Sequence, residues 1–147
     1  MLRFTSLGLL IGVLVLAGCS RATPELLRPN GVVPARDGSL FVMDRGNYRV
    51  ARLSASGELL ASIGTFGTQA ANIHFGWDLE QDRAGNLYFS NLVYDPEGST
   101  VIHDSVKVFA PDGSFLREIG ASDYDPDAEP PAHAPYALEL DGQDRLY

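Results

Sequence analysis

Beyond residue 28 the chain alternates apolar and polar positions in short runs separated by turn residues. Period-two alternation marks strands with one buried face, and Gly, Asp and Asn between the runs mark turns. The runs predict four strands at about 31–35, 40–44, 49–54 and 59–64, joined at Asp37-Gly38, Arg45-Gly46-Asn47 and Ser56-Gly57. A second set is predicted at about 77–82, 87–91, 106–110 and 115–119. Its clearest hairpin signal is Asp112-Gly113, because glycine accepts positive φ without penalty. Leu40, Val42, Val50, Leu53, Leu60 and Ile63 are expected to supply sandwiched faces. No segment carries sustained helical periodicity with caps, so the expected class is all-β.

The two sets are copies of one unit. Gly38 to Gly85 and Leu40 to Leu87 are both separations of 47, whereas Val50 to Val106, Gly57 to Gly113 and Gly64 to Gly120 are all 56. The difference places a nine-residue insertion between Asn91 and Ser105. Leu79 to Leu138 and Leu87 to Leu146 are both 59, so a third copy begins near residue 133 and the sequence stops inside its second strand. A period of about 40–60 residues with four short strands per unit points to a β-propeller. A generic β-sandwich with chance self-similarity is the alternative.

The first 28 residues follow a different pattern. Arg3 precedes an almost wholly apolar run from Phe4 to Leu16, then Leu16-Ala17-Gly18-Cys19, then polar Ser20, Arg21 and Thr23. A positive start, a short apolar stretch and small residues at a cut describe a secretory signal. The run is too short to span comfortably a hydrocarbon core of about 30 Å. Cys19 is the only cysteine, which excludes an intrachain disulfide and a thiol zinc cluster.

Leu16-Ala17-Gly18-Cys19 resembles the lipobox of bacterial lipoproteins. The resemblance implies a diacylglyceryl group on the Cys19 thiol, cleavage before the cysteine, and acylation of the new amine. Several acyl chains give durable membrane attachment, since each buried CH₂ contributes about 0.8 kcal/mol. The expected segments are a signal peptide at 1–18, a lipid anchor and short linker at 19–28, and the repeats at 29–147. Ser20 rather than Asp follows the cysteine, which by the same resemblance favours an outer membrane, facing the periplasm, over an inner one. An ordinary signal peptide cut nearby, with Cys19 incidental, is the alternative.

The repeats resemble the NHL family. Its pattern of Pro-x-Gly-aliphatic, Asp-Gly-x-aliphatic-aromatic-Val-x-Asp and Gly-Asn-x-Arg-aliphatic is matched by Pro29 to Val33, Asp37 to Asp44 and Gly46 to Val50. Asp112-Gly113-Ser114-Phe115-Leu116 and Gly120 match the closing part in the second copy. The first copy departs at Ala35, and the second lacks the Gly-Asn-x-Arg turn. The resemblance implies a β-propeller of four-stranded blades, commonly six. About 40–45 residues per blade then make the chain an incomplete ring of about two and a third blades, at 29–64, 75–120 and 133–147.

Charge narrows the partners. The chain has 11 basic and 19 acidic residues, a net charge of −8. Loss of residues 1–18 would remove only Arg3 among the charges and leave the rest more acidic still. Such a surface repels phosphate backbones, which argues against nucleic acid as a partner.

Candidate chemistry is sparse. His74 and His133 are 59 positions apart and would occupy equivalent loops on one rim. Two imidazoles without a placed carboxylate do not make a zinc site. Amidating lyases related to the NHL family carry zinc-binding histidines at the positions of Asn30, Trp77 and Tyr136; none is histidine here, so that activity is not supported. The three could instead line an axial ligand pocket suited to sugars or peptides. Asp123, Asp125, Asp127 and Glu129 alternate like a calcium loop, yet Pro126 interrupts them and the turn glycine is missing. The insertion, read as a long loop over 92–104, contains Tyr94, Asp95, Glu97, His103 and Asp104. His103 and Asp104 are neighbours on one strand and would point to opposite faces. There is no nucleophile elbow and no phosphate-binding glycine loop.

The expected function is an envelope-anchored binding or scaffold module for a protein, peptide or glycan, with the covalent lipid on Cys19 and no further cofactor. The alternative is a metal-dependent propeller lactonase, lyase or hydrolase using Ca²⁺ or Zn²⁺, with catalytic residues largely on further blades.

Overall fold

A computed structural model of the chain describes residues 25–120 and 135–147. The lipobox residues Leu16 to Cys19, the acidic run Asp123, Asp125, Asp127 and Glu129, and His133 lie outside the described residues.

The described chain is all-β apart from one short 3₁₀ turn at Arg45–Asn47. Strands β1 (Pro29–Pro34), β2 (Leu40–Asp44), β3 (Arg49–Leu53) and β4 (Leu59–Ile63) form one four-stranded sheet in sequence order. Strands β5 (Phe75–Gln81), β6 (Leu87–Tyr94), β7 (Val101–Phe109) and β8 (Phe115–Gly120) form a second. Every pairing is antiparallel, as short hairpin connections require.

The sequence offsets reappear as hydrogen bonds. The Ala35 amide donates to the Ser39 carbonyl, and 47 residues on, the Asp82 amide donates to Asn86. A further 59 on, the Asp141 amide donates to Arg145 at 3.1 Å. The third copy adopts the same geometry as far as it goes, since Glu139 and Tyr147 exchange two backbone bonds as Glu80 pairs with Tyr88. Its turn holds Asp144 at φ 60 where the earlier copies have Gly38 at φ 82 and Gly85 at φ 90. Asp is among the few non-glycine residues that tolerate this region.

The sheets pack face to face. Phe41, Met43, Val50 and Ile63 from the first meet Leu79, Leu87, Phe89 and Phe109 from the second, with Ile73 of the connecting loop between them. Burying each such side chain stabilises by roughly 1.5–3 kcal/mol. Strand β1 lies against β5, and the Asn30 amide donates to the Gly76 carbonyl at 3.2 Å. An added Cβ at Gly76 would meet the Met43 thioether and force that buried side chain to shift.

Two expectations are corrected. On β2 the residues facing the second sheet are Phe41 and Met43, whereas Val42 packs on the opposite face with Ala51, Leu53 and Leu26. Leu40 and Leu60 are exposed rather than sandwiched. The second correction concerns the insertion. It is not a long loop but an extension of the β6–β7 ladder, paired from Asn91↔Ser105 to Tyr94↔Val101. Extra residues that continue the alternation find backbone partners in each other, which a loop would have to seek from water.

Candidate functional site

The site is built where three connections converge at one end of the two sheets. The first is the turn after β2. Asp44 is fully buried, and its carboxylate accepts from the Leu27 amide at 2.7 Å, Asn47 Nδ2 at 2.8 Å and Arg49 Nε at 2.8 Å. These bonds compensate a buried charge and hold the turn in one geometry. Tyr48 closes it in the left-handed region at φ 53. The turn projects Arg45 across the rings of Trp77 and Phe75, with its guanidinium carbon 4.5 and 5.3 Å from their centroids.

The second connection is the loop from Gly64 to His74. Ile73 seats it in the core, donating to the Thr65 carbonyl at 2.8 Å. Lys107, whose side chain is only 2% exposed, reaches from β7 to the carbonyls of Gln69 at 3.2 Å and Ala70 at 2.7 Å. Its third partner is Glu118 at 3.2 Å, which also meets His103 Nε2 at 3.0 Å. Burial pushes the Lys107 ammonium below its ordinary value, against the pull of Glu118. Burial also raises Glu118, but the hydrogen bond with His103 and the Lys107 charge are among the effects that outweigh it, so the carboxyl lies below its ordinary value.

At the end of this loop the His74 amide donates to Asn91 Oδ1 at 2.8 Å. Leu27 and Asp44 stand 47 positions before His74 and Asn91 and make the same bond, so the device recurs with an amide in place of a carboxylate. The His74 ring lies between Phe66 and Phe75, at 5.4 and 5.3 Å.

The third connection is the β6–β7 arm. Its turn is closed by the Asp95 amide donating to Thr100 and the Gly98 amide to Asp95. The Asp95 carboxylate accepts from the Ser99 amide at 2.7 Å, which lowers its pKa. Asp95 is thereby committed to the turn. Tyr94 sets its ring edge-on to Phe75 at 5.1 Å. Burial, and then the adjoining Tyr136, raise the Tyr94 phenol above its ordinary value.

Between these elements lies a cleft of about 670 Å³ lined by Arg45, Thr68, His74, Phe75 and Trp77 on one side. Val93, Tyr94, Asp95, Pro96, Gly98 and Ile102 of the arm form the other. That is within the size range of small-ligand pockets, and its walls combine apolar surface with a few polar atoms. His74 Nδ1, Trp77 Nε1 and Asn91 Nδ2 are buried behind the cleft surface, with no hydrogen-bond partner among the described residues. Among the described residues the Arg45 guanidinium makes ring contacts but no ion pair.

Of the residues singled out from sequence, His74 and Trp77 meet in this cleft, while Tyr136, outside its lining, stands edge-on to Trp77 at 5.4 Å. Asn30 is not in the lining either; it borders a separate, shallower surface with Pro29, Gly31, Val32 and Val42. His103 and Asp104 are not brought together, since His103 turns to Glu118. No group of three His, Cys, Asp or Glu residues able to hold a metal is found among the described residues. Tyr94 and Asp95, named within the insertion, line the cleft as well, whereas Arg45, Phe75 and Asn91 were missed. The 47-residue offset linking Asp44 to Asn91 was the available signal for the last. No helix among the described residues is long and apolar enough to cross a membrane.

No family model and no curated protein matches the chain. Among solved structures, the chain is similar to a protein of unknown function from Bacteroides caccae, at 13% identity and a TM-score of 0.52. The match covers 84% of this chain and 38% of that one, so the chain spans well under half of the solved protein's length. At that identity the likeness speaks to the fold alone.

Proposed function

We propose that the protein is an envelope lipoprotein, attached to a membrane through Cys19, whose repeats are NHL-type blades of a β-propeller that binds a ligand in the cleft beside Trp77. The observation that carries the binding reading is the cleft itself. The walls are formed by Phe75, Trp77 and Tyr94, and the ring nitrogens of His74 and Trp77 behind them have no partner among the described residues, a cost of about 1–3 kcal/mol for each buried unpaired donor that a shift of these rings toward a bound ligand would relieve. The blade reading is supported by two similar sheets whose first strands pack together and by a third copy that starts in the same geometry.

The ligand is a glycan, peptide or protein segment held at this rim. Full-length protein, lipidated and inserted in nanodiscs, should bind members of a glycan and peptide panel, and Trp77→Ala should abolish that binding. Turnover of lactones, esters or peptides on addition of Ca²⁺ or Zn²⁺ would replace this reading with an enzymatic one.

A further inference from the structure

Resting on the reading of the cleft as a binding site, we infer that its ligand is an acidic sugar, recognised through its carboxylate by Arg45. Three observations converge on that chemistry. Arg45 lies across Trp77 at 4.5 Å and Phe75 at 5.3 Å, a stacked position that orients the planar guanidinium. Arg49, Arg52, Arg83 and Arg145 are each paired with an aspartate, whereas no carboxylate among the described residues meets Arg45. The acid nearest at hand in the cleft wall, Asp95, has its two oxygens occupied by Ser99. A guanidinium so held offers parallel N–H groups that match a carboxylate bidentately.

The rest of the cleft suits a pyranose ring. A sugar has apolar C–H faces and a rim of hydroxyls, so it asks for aromatic surface edged with hydrogen-bonding atoms. Phe75, Trp77 and Tyr94 supply the surface. Arg45 and Thr68, both in the cleft lining, carry the hydrogen-bonding groups. Charge adds selectivity. With a net charge of −8 the protein repels anions at long range, so an acidic ligand is retained only by a local, short-range contact such as Arg45 provides.

The sequence supplies its own probe, because Trp77 is the only tryptophan. Full-length protein in nanodiscs is titrated with digalacturonate and with neutral digalactose, following tryptophan emission and, in parallel, calorimetry. The acidic disaccharide should bind about tenfold or more tightly than the neutral one, with an affinity that falls as salt rises. Arg45→Gln should erase that preference, and Arg45→Lys should keep part of it. The side chain of Arg45 makes no hydrogen bond or ion pair with the described residues, and its ring contacts stabilise the fold only slightly, so both variants should retain the parent's circular dichroism with at most a small fall in melting temperature. Equal binding of the two disaccharides, or an Arg45→Gln variant that still prefers the acid, overturns the inference. So does binding confined to peptides, which leaves the binding reading standing. Silence of every sugar and peptide by both methods removes the two together.

Discussion

Lys107 gives the sharpest test of how the cleft is held. Its ammonium sits in the core between the sheets, 2% exposed, with three acceptors: the Gln69 and Ala70 carbonyls and Glu118. Replacement by Met keeps the length of the stem and removes only the charge and the hydrogen bonds. Bonds to a charged donor contribute about 1.5–3 kcal/mol each when lost singly. Three such losses are offset by release of the desolvation penalty and by partial rehydration of the two loop carbonyls, which belong to exposed residues. Glu118 retains His103 and is itself partly exposed, so it is not stranded. The expected net destabilisation is about 2 kcal/mol, roughly a 10 °C fall in Tm. Lys107→Ala should cost about 2 kcal/mol more, for the cavity left by the stem.

Urea unfolding of the full chain measures the global effect. Amide exchange at Asn72 and Ile73, whose N–H groups bond to Gln69 and Thr65 within the loop, reports the local one. Burial lowers the folded pKa below the 10.5 of the free side chain. In that alkaline window the unfolded chain binds more protons, so wild-type stability gains on the Met variant as pH rises toward 10.5. A Lys107→Met protein as stable as the parent, with unchanged exchange at Asn72 and Ile73, would refute the claim that this ammonium fastens the loop.

Other outcomes follow from the same geometry. Asp37 is lowered from 3.8 to about 2, chiefly by the Ser39 hydroxyl and amide, and Asp112 and Asp141 are also lowered by hydrogen bonds within their turns. Their stabilisation is complete above the ordinary carboxylate range and fades as pH falls toward 2, so denaturant midpoints should drop over that interval and drop less in an Asp37→Asn, Asp112→Asn double variant. Gly38→Ala should cost about 1 kcal/mol in thermal unfolding, since φ is 82 there and open space leaves backbone strain as the whole effect. Labelled palmitate fed to an expressing bacterium should mark the full chain, and Cys19→Ala should abolish the label while leaving the β-sheet circular dichroism intact.

The strand plan was legible because each turn repeats its glycine or aspartate at a fixed offset, and those offsets became hydrogen bonds. Which face each strand buries was less so. Phe41, Val42 and Met43 are consecutive apolar residues, and alternation cannot say which parity meets the second sheet when both sides are hydrophobic. The arm was misread because Val93, Tyr94, Val101 and Ile102 flank a turn of Asp, Pro and Gly, and that turn drew attention over its strands. Arg45 was invisible as a site residue, since stacking on Trp77 depends on contact across 32 positions that no local pattern encodes. His74 and Trp77 were found because they precede and begin a strand at the repeat offset.

The β6–β7 arm anchors itself through buried Leu92 and Val93, while its outer end raises one wall of the cleft. A ladder grows by about 3.4 Å for each pair of residues added, and every added pair supplies its own backbone partners. Lengthening or trimming that hairpin therefore changes how deep a ligand sits without asking Phe89 or Phe109 to move. Cleft depth and fold stability can drift independently through evolution, and an engineer could graft a taller or shorter ribbon at residues 95–100 to alter ligand size on an unchanged foundation.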